Sequence, residues 1–466
     1  MAIPSNSPDP ARSRIVILGA GPTGLGAAWR LTELGLTNFT VFEQNPYPGG
    51  LAASFAAPDG FTWDIGGHVQ FSHYGYFDRL MDSLLPGEWL GHLRASYVWI
   101  LDRFVPYPFQ RNIHFLPRPQ FLACLAGLIE TARRRNALPH AHFGDWIDRG
   151  FGTGIARLFL RPYNFKVWAW PPERLDAAWV GERVSPIDLP RLIRHILAQT
   201  LDAGWGPNNT FRFPASGGTG EIWRRLAARL PAGGLRLNSP VESIDLARRR
   251  LTLASGAAEP YDILISTIPL DRLLRLAGRP APPLLYSSSH IAGIGLLGQT
   301  PGHLRDKSWM YFPEPDAPFY RATVFSNYSP ANVPDPTRHW SLLLEVSESP
   351  AKPVDSGTVI EEVIRGLEAT RLIPSRRDIV SVWYHKAVHG YPTPFLDRDA
   401  VITPVLRELE SRSVFSRGRF GAWKYEVSNQ DHSLMQGVEL ADRLALGAPE
   451  LTLWNPALVN GPRNAA

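Results

Sequence analysis

Uninterrupted apolar runs alternate with amphipathic stretches at the start of the chain. RIVIL (14–18) is largely β-branched and stops at glycine, as expected of a strand buried on both faces. Apolar positions then recur at helical spacing over 27–34, and FTVF (39–42) reads as a second strand ending at Glu43, so the pattern predicts a βαβ opening. Helical periodicity prevails from 116 to 201, most clearly over 121–135 and 189–199, and predicts an inserted helical domain. Between 291 and 346 the pattern shortens to 308–312, 321–325 and 340–346, separated by Gly and Pro. This predicts an antiparallel sheet. YDILISTI (261–268) reads as a buried strand returning to the first sheet, and 437–446 as a closing helix.

Composition sets limits on function. At 466 residues the chain exceeds one typical domain, and fifteen Trp with 43 Pro fit rigid loops and apolar walls around a pocket. The single cysteine, Cys124, excludes an internal disulfide framework and a cysteine-based zinc site, so no metal is expected. Its apolar setting predicts an inert thiol in a reducing, cytoplasmic compartment. Residues 1–13 are polar and lack an apolar signal core, and no run approaches the roughly 20 apolar residues of a membrane span. The excess of 48 basic over 43 acidic side chains is mild; it suits an anionic small molecule and does not argue for nucleic acid. The basic cluster 133–135 reads as a solvated helix end.

The strongest chemical signal follows the first strand. Gly19, Gly21 and Gly24 form G-x-G-x-x-G between a strand and a helix, with an acid at the end of the next strand. Gly19 permits the tight turn, Gly21 the approach of a pyrophosphate, and Gly24 close packing of helix on strand. Glu43 is placed to accept ribose hydroxyls. Two later glycine pairs, Gly49-Gly50-Leu51 and Gly66-Gly67-His68, allow backbone to approach a flat ligand, and the combination favours FAD over NAD. Motifs for a phosphate-binding P-loop, a zinc protease or a serine hydrolase are missing, which leaves the hard chemistry to the cofactor.

Eight further stretches carry a resemblance: DIGGHVQFSHYGYFD (64–78), VPYPFQRNI (105–113), RPYNFKVWA (161–169), GERV (181–184), GPNNTFRFP (206–214), FYRATVFSNYSP (319–330), GYPTP (390–394) and SRGRFGAWKYEVSNQDHS (416–433). In order and over about 15–460, they resemble the UDP-galactopyranose mutase family, eukaryotic (fungal and protozoan) type. The resemblance implies an α/β fold: a Rossmann-like FAD-binding domain built from 14–90, 206–270 and 413–466, a β-sheet segment 91–115, a helical substrate domain 116–205, and an antiparallel sheet domain 271–412. It also implies the reaction. Reduced FAD attacks the anomeric carbon of a UDP-hexose through N5, and the adduct reopens and closes as the other ring form with no net redox. NADPH or NADH supplies the initial electrons.

Carried over residue by residue, the family assigns the diphosphate to Arg183 and Arg321, whose planar forks suit phosphate oxygens. Tyr107, Phe109 and Gln110 would hold uridine. Asn164, Trp168, Asn208, Trp309, Tyr311, Tyr328, Tyr391, Tyr425 and Asn429 would line the substrate pocket. His68 would sit on a redox-responsive loop, with Arg94, Arg419, Asn429 and Gln430 near the flavin. A short connection at 332–339 and a trimmed tail argue against a tetramer held by peripheral segments and leave open whether the chain is a homo-oligomer. Leu160 and Ser428 stand where the family pattern has Met and Gly, which keeps a related sugar nucleotide open as substrate. Two other classes compete: an amine oxidase-like flavin oxidoreductase, and a nucleotide-sugar binding protein with a dead site.

Overall fold

The computed structural model describes residues 10–133 and 140–461; Arg134 and Arg135 of the basic cluster, and residues 1–9, lie outside the described residues. The first apolar run forms the strand Ile15–Leu18 in the middle of a five-stranded parallel sheet. Its order is Val414–Ser416, Ile263–Ser266, Ile15–Leu18, Phe39–Phe42, Leu235–Arg236. The return of 263–266 to this sheet agrees with the sequence reading. The outer strand 414–416 arrives from far along the chain.

Helix Pro22–Glu33 follows the first strand and is covered by the long helix Gln430–Leu446. Glycine lets these helices touch through backbone. A Cβ on Gly26 would stand 2.6 Å from the Leu434 carbonyl oxygen, and one on Gly437 would overlap the Thr23 carbonyl. The contact could not form with larger residues at these positions.

A second, seven-stranded sheet runs in the order Ile379–Pro392, Tyr286–Leu297, His339–Glu348, Arg321–Val324, Trp309–Tyr311, Ser96–Ile100, Arg103–Pro106. The strands between 286 and 392 pair with one another antiparallel, in agreement with the sequence reading. Trp309–Tyr311 also pairs with Ser96–Ile100 in parallel, so the whole sheet is mixed. The cause is topological, because the hairpin 96–106 joins this sheet from the N-terminal part of the chain.

The inserted domain is helical, with Arg118–Arg133, Phe143–Ile155, Arg161–Trp168 and Leu189–Ala198 around a core that includes Phe109, Ile147, Phe151, Phe159 and Trp179. Cys124 is part of this core, and burial pushes its thiol up to about 11. No described helix is long and apolar enough to cross a membrane.

Candidate active site

A cavity of about 1040 Å³ opens where the carboxyl ends of the parallel strands, the inner face of the mixed sheet and the helical domain meet. The ends of parallel strands are where α/β sheets take ligands. One end of the cavity is built of glycine. Gly19, at φ +96°, donates its N–H to the Phe42 carbonyl (2.8 Å), and the Gly49 amide donates to the Ala20 carbonyl (2.8 Å). The first two glycine loops are therefore bonded back to back.

The glycines divide by cause. A Cβ on Gly24 would overlap the Gly19 carbonyl oxygen, so packing requires that glycine. A Cβ on Gly21 would meet no atom of the described residues nearer than 4.0 Å, and Gly21 borders the cavity. The bareness of Gly21 leaves its backbone open to a ligand. Gly21 also caps helix Pro22–Glu33 with no side-chain hydrogen bond, so the positive helix end faces the cavity, as a pyrophosphate requires.

Glu43 is buried. Its Oε2 accepts the Ala20 amide (2.8 Å) and its Oε1 accepts the backbone and side-chain N–H of Asn45 (2.9 and 2.8 Å). The carboxylate thus fixes the glycine turn and keeps lone pairs for a ribose diol. These features fit the two phosphates and ribose of FAD.

The other end of the cavity is cationic and aromatic. Arg183 donates Nη2 to the Glu426 carbonyl (2.8 Å) and lies over Tyr425, with Cζ 5.3 Å from the ring centre; its Nη1 is buried and has no partner among the described residues. Such an orphaned cationic donor on a cavity wall marks a place for an anion. Arg321 is partly committed already. Its Nε (2.7 Å) and Nη2 (2.5 Å) meet Oε1 of Glu345, so Nη1 is the nitrogen left for a second bond. Burial would raise the Glu345 carboxyl, but Arg321 and the Tyr320 and Gly67 hydrogen bonds hold it below its ordinary value.

Arg419 donates to the Gly390 carbonyl (2.9 Å) and to Ser428 Oγ (2.9 Å) beneath the Tyr391 ring. Its acceptors among the described residues are all neutral, and burial lowers its pKa. Arg94 bonds Asn208 Oδ1 and the Trp205 carbonyl and lies over Tyr107. Burial raises the phenols of Tyr107, Tyr311 and Tyr391, so they stay protonated and can donate hydrogen bonds to an anion. Burial likewise lowers His68 to about 4, with Arg321 and Arg419 adding to the shift against Glu345, and the ring is neutral at pH 7.

The structure brings together around this cavity Gly19, Gly21, Glu43, Gly50, Leu51, Gly66, Gly67 and His68. Arg94, Tyr107, Arg183, Asn208, Tyr311, Arg321, Tyr391, Arg419, Tyr425, Asn429 and Gln430 join them. Gly49 and Gly24 support the loops from behind. Six expected pocket residues also stand behind the wall. Phe109 packs on Phe159 (4.7 Å between ring centres), and Gln110 donates to the Ser185 carbonyl (2.8 Å). Asn164 donates to the Leu160 carbonyl (2.7 Å). Trp168 packs edge-on against Tyr425 (4.7 Å), Trp309 donates to the Tyr311 hydroxyl (2.6 Å), and the buried Tyr328 packs on Phe211 and Phe213. In this structure they brace the lining side chains.

Sequence reasoning missed Glu345, whose only signal is a lone acid in the apolar run WSLLLEVS, and missed the bonds Ser428 makes to Arg419. It also missed the His73–Asp431 pair (2.7 Å), which with His432 forms a cluster of ligand-capable atoms. Asp431 and His432 lie in the first turn of helix Gln430–Leu446, where the helix dipole disfavours a cation, and Asp431 accepts the backbone N–H of His73 (3.0 Å), which ties that segment to the helix.

Residues 17–84 match the NAD(P)-binding Rossmann-like domain, and residues 110–404 match the flavin-containing amine oxidoreductases. The crystal structure of reduced UDP-galactopyranose mutase superposes with a TM-score of 0.94 at 49% identity, over 97% of this chain and 98% of that one. Cyclohexylamine oxidase from Brevibacterium oxydans IH-35A shares the fold, with a TM-score of 0.66 and 16% identity over 94% and 99% of the two chains. Mitochondrial protoporphyrinogen oxidase of Nicotiana tabacum is 40% identical over 311 residues, 58% of this chain, and the match spans only 61% of that protein. Fold, cavity and near full-length likeness agree: the chain belongs to the flavin-containing amine oxidoreductases and, within them, to the UDP-galactopyranose mutase family.

Proposed function

We propose that the chain interconverts UDP-galactopyranose and UDP-galactofuranose, with reduced FAD as cofactor and NADPH or NADH as the source of its electrons. The observation that carries this reading is the buried, unpartnered Nη1 of Arg183, which shares one cavity with the glycine loops and Glu43. Bound and reduced, FAD would supply the nucleophile for exchange of the hexosyl group, with no net redox.

The chain's own residues do the rest. Arg183 and the free nitrogen of Arg321 bind the diphosphate, whose negative charge grows as it leaves the anomeric carbon. Buried cations aimed at that charge favour the transition state over the ground state. Protonated Tyr311 and Tyr391, together with the Tyr425 hydroxyl, donate to phosphate and sugar oxygens, and their rings narrow the access of water. Tyr107 beneath Arg94 offers a flat face to uracil. Arg419, a cation with neutral acceptors only, offsets negative charge on the reduced flavin. Neutral His68 adds no competing cation at pH 7. A cytoplasmic site of action suits a chain with one cysteine.

The test is chromatography of UDP-galactofuranose incubated with the yellow holoprotein, with and without dithionite or NADPH. Conversion to UDP-galactopyranose is expected only after reduction, with many turnovers per NADPH oxidised. One NADPH consumed per product would instead establish the oxidoreductase class, and binding without turnover the dead-site class.

A further inference from the structure

Helix Arg118–Arg133 packs on helix Phe143–Ile155 through glycine. A Cβ on Gly127 would stand 3.2 Å from the Gly154 amide nitrogen, and one on Gly154 would come 2.5 Å from the Ala123 carbonyl oxygen. Contact of backbone on backbone fixes the rotation of the helix and holds its other side outward. At 3.6 residues per turn, that side carries Arg118, Leu122, Ala126, Ile129 and Arg133 in one stripe about 22 Å long. All five are exposed, Leu122 by 50% and Ile129 by 44%, and the exposed Phe115 precedes them in the chain.

A helix face turned to water is ordinarily polar. This stripe is apolar along its middle and cationic at both ends, and Glu130 lies off it. Arg118 stands in a first turn that contains no acid, where the helix dipole opposes a cation, so it does not stabilise its own helix. Neither Arg118 nor Arg133 forms an ion pair among the described residues. The neighbouring helix Leu189–Ala198 repeats the composition, with Ile193 and Leu197 exposed beside Arg194. The segments before the one helix and after the other are bonded together. Asn112 accepts the Asp202 amide (3.0 Å) and donates to the Asp202 carbonyl (2.9 Å).

We propose that this face of the helical domain docks on a bilayer surface that bears anionic lipid. Leu122 and Ile129 enter the boundary between headgroups and acyl chains, as on an interfacial helix. The arginine stems lie along apolar surface while their guanidinium groups reach headgroup phosphates. Charge decides the occupant. A second copy seated on the same face would set Arg118 and Arg133 against their own counterparts, with no acid in the stripe to offset them. A neutral surface would leave both cations unmatched. No described helix can cross a membrane, so the contact is peripheral. None of the stripe residues lines the cavity, and the inference holds whatever reaction the cavity performs.

The test is flotation of the FAD-loaded full-length protein with phosphatidylcholine vesicles, with and without phosphatidylserine, at low and high salt. Binding is expected to the anionic vesicles only, and to weaken as salt rises. Leu122→Glu combined with Ile129→Glu should lower the partition coefficient about tenfold or more. Arg118→Gln combined with Arg133→Gln should lower it about fivefold for each arginine, the usual contribution of one basic residue near such a surface. Flavin content and turnover should be unchanged in both variants, which shows that they fold. Failure to bind anionic vesicles, equal binding to neutral ones, or binding that survives both pairs of substitutions overturns the proposal. Sedimentation velocity supplies a further check: a dimer that dissociates in the Glu variant would assign the face to a second copy and overturn it as well.

Discussion

Arg183 presents to the cavity a guanidinium with one nitrogen spoken for and the other without an acceptor. Arg183→Ala should leave the glycine end intact and lower kcat by about 100-fold or more, the usual effect of removing a donor that serves the transition state. Flavin content by absorbance and steady-state turnover check both halves. Arg183→Lys should recover little, because an ammonium cannot span the Glu426 carbonyl and a phosphate oxygen together. His68 gives a pH prediction. Its folded pKa of about 4 lies below the ordinary 6.5, so the unfolded chain binds the extra proton between those values. Stability from keeping the ring neutral is complete above 6.5 and is lost as pH falls toward 4. Urea unfolding at several pH values should show a steeper acid loss for wild type than for His68→Gln, and parallel curves would refute this. The arginines were legible because they lie in distinctive stretches. Glu345 was not, since its meaning depends on facing Arg321 across a strand pair that no local pattern specifies.

At the scale of elements, the glycines separate packing from ligand binding. Gly437→Ala places a methyl group against the Thr23 carbonyl and should cost about 1–3 kcal/mol, the usual price of overpacking, even in flavin-free protein. Gly21→Val should fold normally, because nothing among the described residues crowds that position, yet fail to retain FAD. Calorimetry of the apo forms and flavin loading distinguish the two. The opening strand, helix and second strand were readable from periodicity alone, as were helices Arg118–Arg133 and Leu189–Ala198 of the inserted domain. The mixed character of the second sheet was not, because parallel or antiparallel pairing is decided by which distant strands meet. Likewise the bracing roles of Phe109, Trp168 and Trp309 turn on which side of the wall each ring points, a choice made by packing.

At the scale of the whole molecule, the parallel sheet draws its strands from three separated stretches of chain, 15–42, 235–266 and 414–416. Of these, the return of Ile263–Ser266 was legible from its apolar run. A fragment ending at residue 412 lacks the outer strand and the covering helix Gln430–Leu446, and should bind no FAD when purified; a yellow fragment would contradict the architecture. The backbone contact between the first helix and that late helix also has a consequence for biosynthesis. During translation the glycine-rich turn emerges early, but the surface that seals it is made hundreds of residues later. The nascent chain must keep its first helix exposed through most of its synthesis, and the prosthetic group can be captured durably only once residue 446 has cleared the ribosome.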